Sequence, residues 1–326
     1  MSTKKPVRIG VLGIASIARR MAIPAIRFSS TRFELAGLAS RDASRARDAA
    51  AEWGCPAYGS YEALLEDPSI DAVYIPLPNG LHHRYVMQAL KNRKHVWVEK
   101  SLGCDHAEVE EMVRTARERD RVLLENFQFR KHSQLSSIRS LLNEGAIGEL
   151  RSVRVSFGFP PFKDAHNIRY DPALKGGALL DAGIYPLKIA PYFLGEDIEV
   201  TAATLSFDPV RKVDIWGGGM LAQQHGSLFC QFAFGFDHHY QCALELWGST
   251  GKLFTNRIFT APPGYSPRLL IETTQGTEER ILPPDDHFVR MLEHFHDLIH
   301  SDRRAEDGGN LLQASLIERF RMMGVR

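Results

Sequence analysis

Cysteine is scarce in this chain of 326 residues, and Cys55, Cys104, Cys230 and Cys242 are scattered without a Cys-x-x-Cys pair. That spacing argues against a disulfide framework and a zinc site. No run approaches the roughly 18 apolar residues that would mark a membrane span. Met1–Pro6 enters the first strand without the apolar stretch of a signal peptide, so a cytoplasmic, reduced setting is expected. Net charge is nearly missing as well, since 40 Lys+Arg against 39 Asp+Glu leave +1. No global field favours nucleic acid or a membrane surface, and the expected partner is a small molecule. Internal repeats, low-complexity tracts and disordered linkers are also lacking.

What is present is an ordinary globular balance, 44% hydrophobic and 24% charged. The length exceeds what one hydrophobic core usually organises. Two domains are expected, 1–126 for a dinucleotide and 127–326 for substrate and oligomerisation, with the C-terminal helices able to pack back on the first. In the first part, strands at 7–12, Phe33–Ala39, Ala72–Ile75, His95–Val98 and Val122–Leu124 alternate with helical patterns. This α/β alternation predicts a doubly wound parallel sheet of Rossmann type. From about residue 150 the period becomes strict alternation, as in Val153, Val155 and Phe157 or Leu228, Cys230 and Phe232. Long strands with one apolar face predict an α+β domain with a largely antiparallel open sheet. Helical spacing returns at Phe288, Met291, Leu292 and Phe295.

The segment Lys94–Lys100 carries the most information. It is an apolar strand ending in Glu99-Lys100, and open α/β sheets bind ligands outside the carboxyl ends of their strands. Gly13-Ile14-Ala15-Ser16-Ile17-Ala18 is a G-x-A-x-x-A variant of the dinucleotide fingerprint. An ordinary strand-to-helix turn reads the same way, but the placement after the first strand favours the fingerprint. Where an NAD site would present a carboxylate to the ribose, this chain has Ser40 and Arg41. A hydroxyl beside a guanidinium accepts a 2′-phosphate, so NADP(H) is the expected cofactor. Asp42 is adjacent, and Arg41 also fits a solvated surface residue.

Further cofactor contacts are assigned to Pro76, Leu77, Asn79 and His82 after the third long strand, and to Glu99, Lys100 and Asn126 after the next two. A histidine at such a place is commonly a cap or a surface group. Reducing a ketone needs a hydride from one side and a proton from the other. Lys100 offers a charge-assisted donor, and Tyr185 a phenol whose pKa of about 10 would fall beside an ammonium. Asp181, four residues earlier, shares a face with Tyr185 if that segment is helical. The structural alternatives are a snorkelling Lys100, an N-cap Asp181 and a packed Tyr185. His296 and His300 have metal-ligand spacing, but no third ligand accompanies them and no metal is expected.

Taken together, the Gly13–Ala18 turn, Pro78-Asn79 with His82, the Lys94–Lys100 strand and Gly176–Tyr185 resemble the Gfo/Idh/MocA family of oxidoreductases. The resemblance implies an N-terminal Rossmann domain, a C-terminal sheet that forms a homodimer or homotetramer contact, and Lys100 as catalytic lysine. Two departures stand out: Tyr185 where many members carry His, and Glu99-Lys100-Ser101 where Glu-Lys-Pro is usual, which removes a rigid proline often found in cis. Glu125-Asn126-Phe127, Ile168-Arg169-Tyr170, Tyr185-Pro186 and Asn256–Thr260 resemble the nucleotide-sugar 3-ketoreductases of deoxysugar biosynthesis. That likeness implies NADPH-dependent reduction of a dTDP-linked ketosugar. Tyr185 would protonate, Lys100 would orient the ketone, and Tyr170 with Arg169 or Arg257 would line the substrate site, although either arginine also suits a structural ion pair. A reductase of free sugars or dihydrodiols, and a non-catalytic NADP-binding sensor, are the competing readings.

Overall fold

Short strands and amphipathic helices alternate up to Phe127, the strands largely buried except the edge strand Ala57–Tyr58. The computed structural model describes residues 5–301 and 307–324. It divides into two compact units, one comprising the chain up to Phe127 with Phe288–Leu311, the other Gln128–His287 with the chain from Leu312.

In the first unit β1 (Val7–Leu12), β2 (Phe33–Ala39), β3 (Ala57–Tyr58), β4 (Ala72–Ile75), β5 (His95–Val98) and β6 (Leu123–Glu125) form a parallel sheet in the order β3-β2-β1-β4-β5-β6. The helices α1 (Ile23–Phe28), α2 (Ala43–Trp53), α3 (Tyr61–Glu66), α4 (Asn79–Lys91) and α5 (His106–Glu118) connect these strands. Burial of β4 at every position explains its unbroken apolar run.

Local signals set the helix ends. Asp42 accepts from the Ser44 and Arg45 amides to start α2, and left-handed Gly54 ends it. Asp105 caps α5 through the Glu108 amide, while the Glu108 carboxylate returns to the Cys104 N–H at 2.7 Å, one residue earlier than a regular capping box. The helix after β1 departs from the regular period expected of it: a π turn at Ala18–Ala22 precedes α1, with Ala18 and Ala22 fully buried.

The second unit contains α6 (Ser133–Asn143), α7 (Ile184–Leu194) and the strands β7 (Leu150–Gly158), β8 (Ile198–Phe207), β9 (Asp214–Gln223), β10 (Phe229–Gly235), β11 (Gln241–Gly248), β12 (Gly251–Asn256), β13 (Arg268–Thr273) and β14 (Gly276–Ile281). Their order is β14-β13-β12-β11-β7-β10-β9-β8. Pairing is antiparallel except between β7 and β10, which run parallel with Val153, Val155 and Phe157 opposite Cys230, Phe232 and Phe234. These residues form the buried face.

Two helices end the chain, α8 (His287–His300) and α9 (Asp307–Gly324). Phe288, Met291, Leu292 and Phe295 of α8 are at most 1% exposed and complete the core of the first unit. Phe295 stacks on Phe33 at 6.3 Å, and Phe288 meets Trp97 edge-on at 6.2 Å. In the second unit Phe320 of α9 packs on Phe232, and the Gln313 amide donates to the Ile184 carbonyl. The four cysteines remain thiols. Among the described residues, no helix is long and apolar enough to cross a membrane.

Candidate active site

In the first unit the strand order reverses between β1 and β4, the place where doubly wound sheets open a crevice at their carboxyl edge. Gly13 closes β1 with φ of +112°, and a Cβ there would stand 2.8 Å from Leu77 Cδ2. The positive φ is what favours glycine here, and the tip of the Leu77 side chain, from the segment leaving β4, fills the space beside it. Ala15, Ser16 and Ile17 follow and lead into the helix. At the end of β2, Ser40 is buried and Arg41 exposed. Asp42 is already engaged, its carboxylate accepting from the Ser44 amide at 2.8 Å and the Ser44 hydroxyl at 2.7 Å, bonds that lower its pKa. The Ser40 hydroxyl oxygen accepts from the Asp42 amide at 3.3 Å. Pro76, Leu77 and Asn79 line the passage from β4 into α4.

Lys100 directly follows Glu99 at the end of β5, and the Lys100–Ser101 peptide is cis although serine stands in the usual place of proline. Glu99 is buried and accepts from the Tyr74 hydroxyl at 2.7 Å and from Asn126 Nδ2 at 2.5 Å. Burial raises its pKa, and these two hydrogen bonds oppose the rise. His82 is wholly buried, with ring nitrogens 2.7 Å from the Ser101 and Leu77 carbonyl oxygens. Its surroundings are neither those of a helix cap nor those of a surface group. Gly13, Ser40, Arg41, Leu77, Asn79, Glu99, Lys100 and Asn126 thus follow the carboxyl ends of one sheet.

In the second unit Asp181 lies in a π turn, Leu179–Gly183, that runs into α7. The Leu179 amide donates to Asp214 Oδ2 at 2.5 Å, and Gly177 has φ of +112°, where a Cβ would strike Asp214. Backed against Asp214 in this way, the segment lets the Gly177 N–H donate to the Arg169 carbonyl at 2.8 Å. Arg169 Nε then donates to Asp181 Oδ2 at 2.6 Å, with the guanidinium over the Phe162 ring.

Tyr185, on the first turn of α7, is 6% exposed, with Phe129, Phe157 and Phe259 around its ring at 4.9 to 5.9 Å. Tyr170 is buried, and its hydroxyl accepts from the Phe162 amide at 3.1 Å. Arg257 adopts left-handed φ of 52°, its guanidinium 5.4 Å from the Tyr240 ring and 5.7 Å from that of Tyr265.

Two supporting residues escaped the sequence reading. Tyr74 looks like one more apolar residue of a buried strand, although a hydroxyl there needs a partner. Asp214 carries a weaker signal, an acid opening a strand ahead of a glycine run. The His296 and His300 ring centroids lie 4.2 Å apart on α8, the planes tilted by 35°.

The oxidoreductase family GFO/IDH/MocA, described by its NAD-binding Rossmann fold, matches residues 7–127, and the C-terminal domain of the same family matches residues 135–254. A dTDP-3,4-didehydro-2,6-dideoxy-α-D-glucose 3-reductase of Streptomyces violaceoruber is 42% identical over 306 residues, 94% of this chain and 88% of that protein. The chain belongs to the Gfo/Idh/MocA family. The crystal structure of KijD10, a 3-ketoreductase from Actinomadura kijaniata in complex with NADP and TDP-benzene, superposes with a TM-score of 0.94 at 38% identity, covering 98% of both chains. Substrates differ among Gfo/Idh/MocA relatives: the D-xylose 1-dehydrogenase (NADP(+)) 2 of Haloferax volcanii is 35% identical over 88% of this chain and 87% of its own.

Proposed function

We propose that this member of the family reduces the C3 ketone of a dTDP-linked keto-deoxysugar with NADPH. The observation that carries the reading is the likeness to a 3-reductase of such a sugar over 94% of the chain. It is supported by Ser40 and Arg41, which lack the carboxylate that would repel a 2′-phosphate. Gly13, Ala15, Ser16 and Ile17 would hold the pyrophosphate, with Pro76, Leu77, Asn79, Glu99 and Asn126 toward the nicotinamide. The reduced nicotinamide, when bound, supplies the hydride.

Tyr185 gives its phenolic proton to the oxygen of the reduced carbonyl. Its aromatic surroundings exclude water, which strengthens the electrostatic interactions of the hydroxyl. Lys100 donates a charge-assisted hydrogen bond that orients and polarises the ketone. Asp181, fixed by Arg169, polarises this pair. With Arg169 so engaged, Arg257 becomes the candidate for the diphosphate, beside Tyr170 in the substrate set.

The solvated face of the eight-stranded sheet carries Trp216 and Trp247, 41% and 62% exposed. These two exposed rings, at opposite ends of their strands, support self-association through this sheet, which light scattering would check as a dimer or tetramer mass.

The deciding experiment follows NADPH consumption with a dTDP-linked 3-ketosugar generated in situ, beside the free sugar. Rapid oxidation only with the nucleotide sugar supports the reading. Activity with the free compound moves the assignment to a small-carbonyl reductase, and none with either to a sensor.

A further inference from the structure

The ring of His82 is completely enclosed on α4, yet both of its nitrogens meet polar atoms. Nδ1 stands 2.7 Å from the Ser101 carbonyl oxygen and Nε2 stands 2.7 Å from the Leu77 carbonyl oxygen. It therefore spans from the chain leaving β4 to the residue directly after Lys100. One residue further, the Leu102 N–H donates to Glu125 Oε1 at 2.8 Å. The Ser101 hydroxyl donates to the Gly103 carbonyl at 3.1 Å. Glu125 closes β6 and is 3% exposed. Two side chains from different elements thus hold successive backbone groups of one turn, the acceptor of Ser101 and the donor of Leu102.

We propose that His82 and Glu125 are positioning residues for Lys100, clamping the backbone that follows it and so fixing where its ammonium stands. This rests on the role given to Lys100 in the proposed reduction. The turn lies between the end of β5 and the start of α5, outside both elements. A buried backbone group left without its partner is costly, so the turn would shift to recover one. A shift of about 1 Å at a reacting group is enough to slow a reaction by about 10²-fold. Carbonyl oxygens only accept, so a neutral ring bonds to one of the two at a time and a doubly protonated ring to both. Burial and the Lys100 charge favour the neutral ring, while the two carbonyls and Glu125 favour the charged one. The Ser101 carbonyl is held when Nδ1 carries a proton, as it does in the charged ring and in one neutral tautomer, and an apolar side chain supplies no such donor.

The test compares wild type with His82→Leu, His82→Gln, Glu125→Ala and Glu125→Gln in three measurements. These are turnover with NADPH and the nucleotide ketosugar, NADPH affinity by fluorescence, and the rate at which an acylating reagent labels Lys100, read by mass spectrometry. His82→Leu and Glu125→Ala are expected to lower kcat about tenfold or more while NADPH affinity stays within about twofold. Lys100 labelling should change several-fold in both. His82→Gln and Glu125→Gln, which keep a donor and an acceptor respectively, should recover most of the loss.

Normal kcat in His82→Leu, or lost turnover matched by lost NADPH affinity with unaltered Lys100 labelling, overturns the clamp. If the leucine variant does not fold, His82→Gln against Glu125→Ala makes the same comparison. A wild-type protein inactive on the nucleotide sugar would sink the proposed reduction instead, and the labelling rates would still decide the clamp.

Discussion

Arg169 and Asp181 are joined by a 2.6 Å ion pair, Nε to Oδ2, with the carboxylate side chain only 14% exposed. The bond crosses from the short turn Ile168–Tyr170 to the π turn that launches α7. It makes Arg169 the holder of Asp181. If the pair works as one unit, the losses in turnover from Arg169→Ala and Asp181→Asn will not add. The double variant is expected to fall within about threefold of the weaker single one, whereas independent roles would multiply the two losses. Steady-state kinetics on the three proteins settles the point.

Tyr185→Phe keeps the ring that Phe129, Phe157 and Phe259 surround and removes only the hydroxyl. Turnover should drop by about 10²- to 10⁴-fold, the usual contribution of a positioned proton donor, with NADP affinity nearly unchanged. Turnover equal to wild type would remove Tyr185 from the mechanism.

Arg41 is exposed beside a buried Ser40, and Asp42 is committed to capping α2. Arg41→Ala should raise KM for NADPH about tenfold, as expected for one charge-assisted contact at a surface, and leave KM for NADH nearly unchanged. Equal effects on both cofactors would place Arg41 away from the 2′-phosphate.

Acid should weaken the second unit through His287. Burial, with the neighbouring His132 ring acting in the same direction, lowers its pKa from 6.5 to about 3. The unfolded chain takes up this proton near the ordinary value, while the native state resists it. Stability is therefore fully present above pH 6.5 and is lost as pH falls toward about 3, at about 1.4 kcal/mol per pH unit. In His287→Leu, the fall of Tm between pH 6.5 and about 4 should be shallower than in wild type. Parallel curves would show that another group titrates in that window.

Much of the first unit was legible because its strands are largely buried and each ends where the fold opens. The apolar run His95–Val98 and the polar Glu99-Lys100 state both facts in one short segment. The second sheet was legible as a set of faces but not as a set of partners. Alternation shows that Phe157 and Phe234 point inward, and nothing local shows that β7 and β10 run parallel side by side. The Arg169–Asp181 bond depends on Gly177 yielding space to Asp214, a residue far along the chain, so short-range spacing could not announce it. The two π turns were hidden for a similar reason: a helix widens by one residue to suit its packing, and the sequence still shows apolar residues at nearly helical intervals.

The helix α8 gives the first unit a late debt to the rest of the chain. During synthesis, Phe33 and Trp97 leave the ribosome long before Phe288 and Phe295, the rings that cover them. Until then the parallel sheet waits with apolar surface open to water, in need of shelter from other chains. A fragment ending at Phe127 would carry every strand of the first sheet and still lack one wall of its core. The strands of the first sheet are thus made early, and the core beside them closes only after α8 has followed.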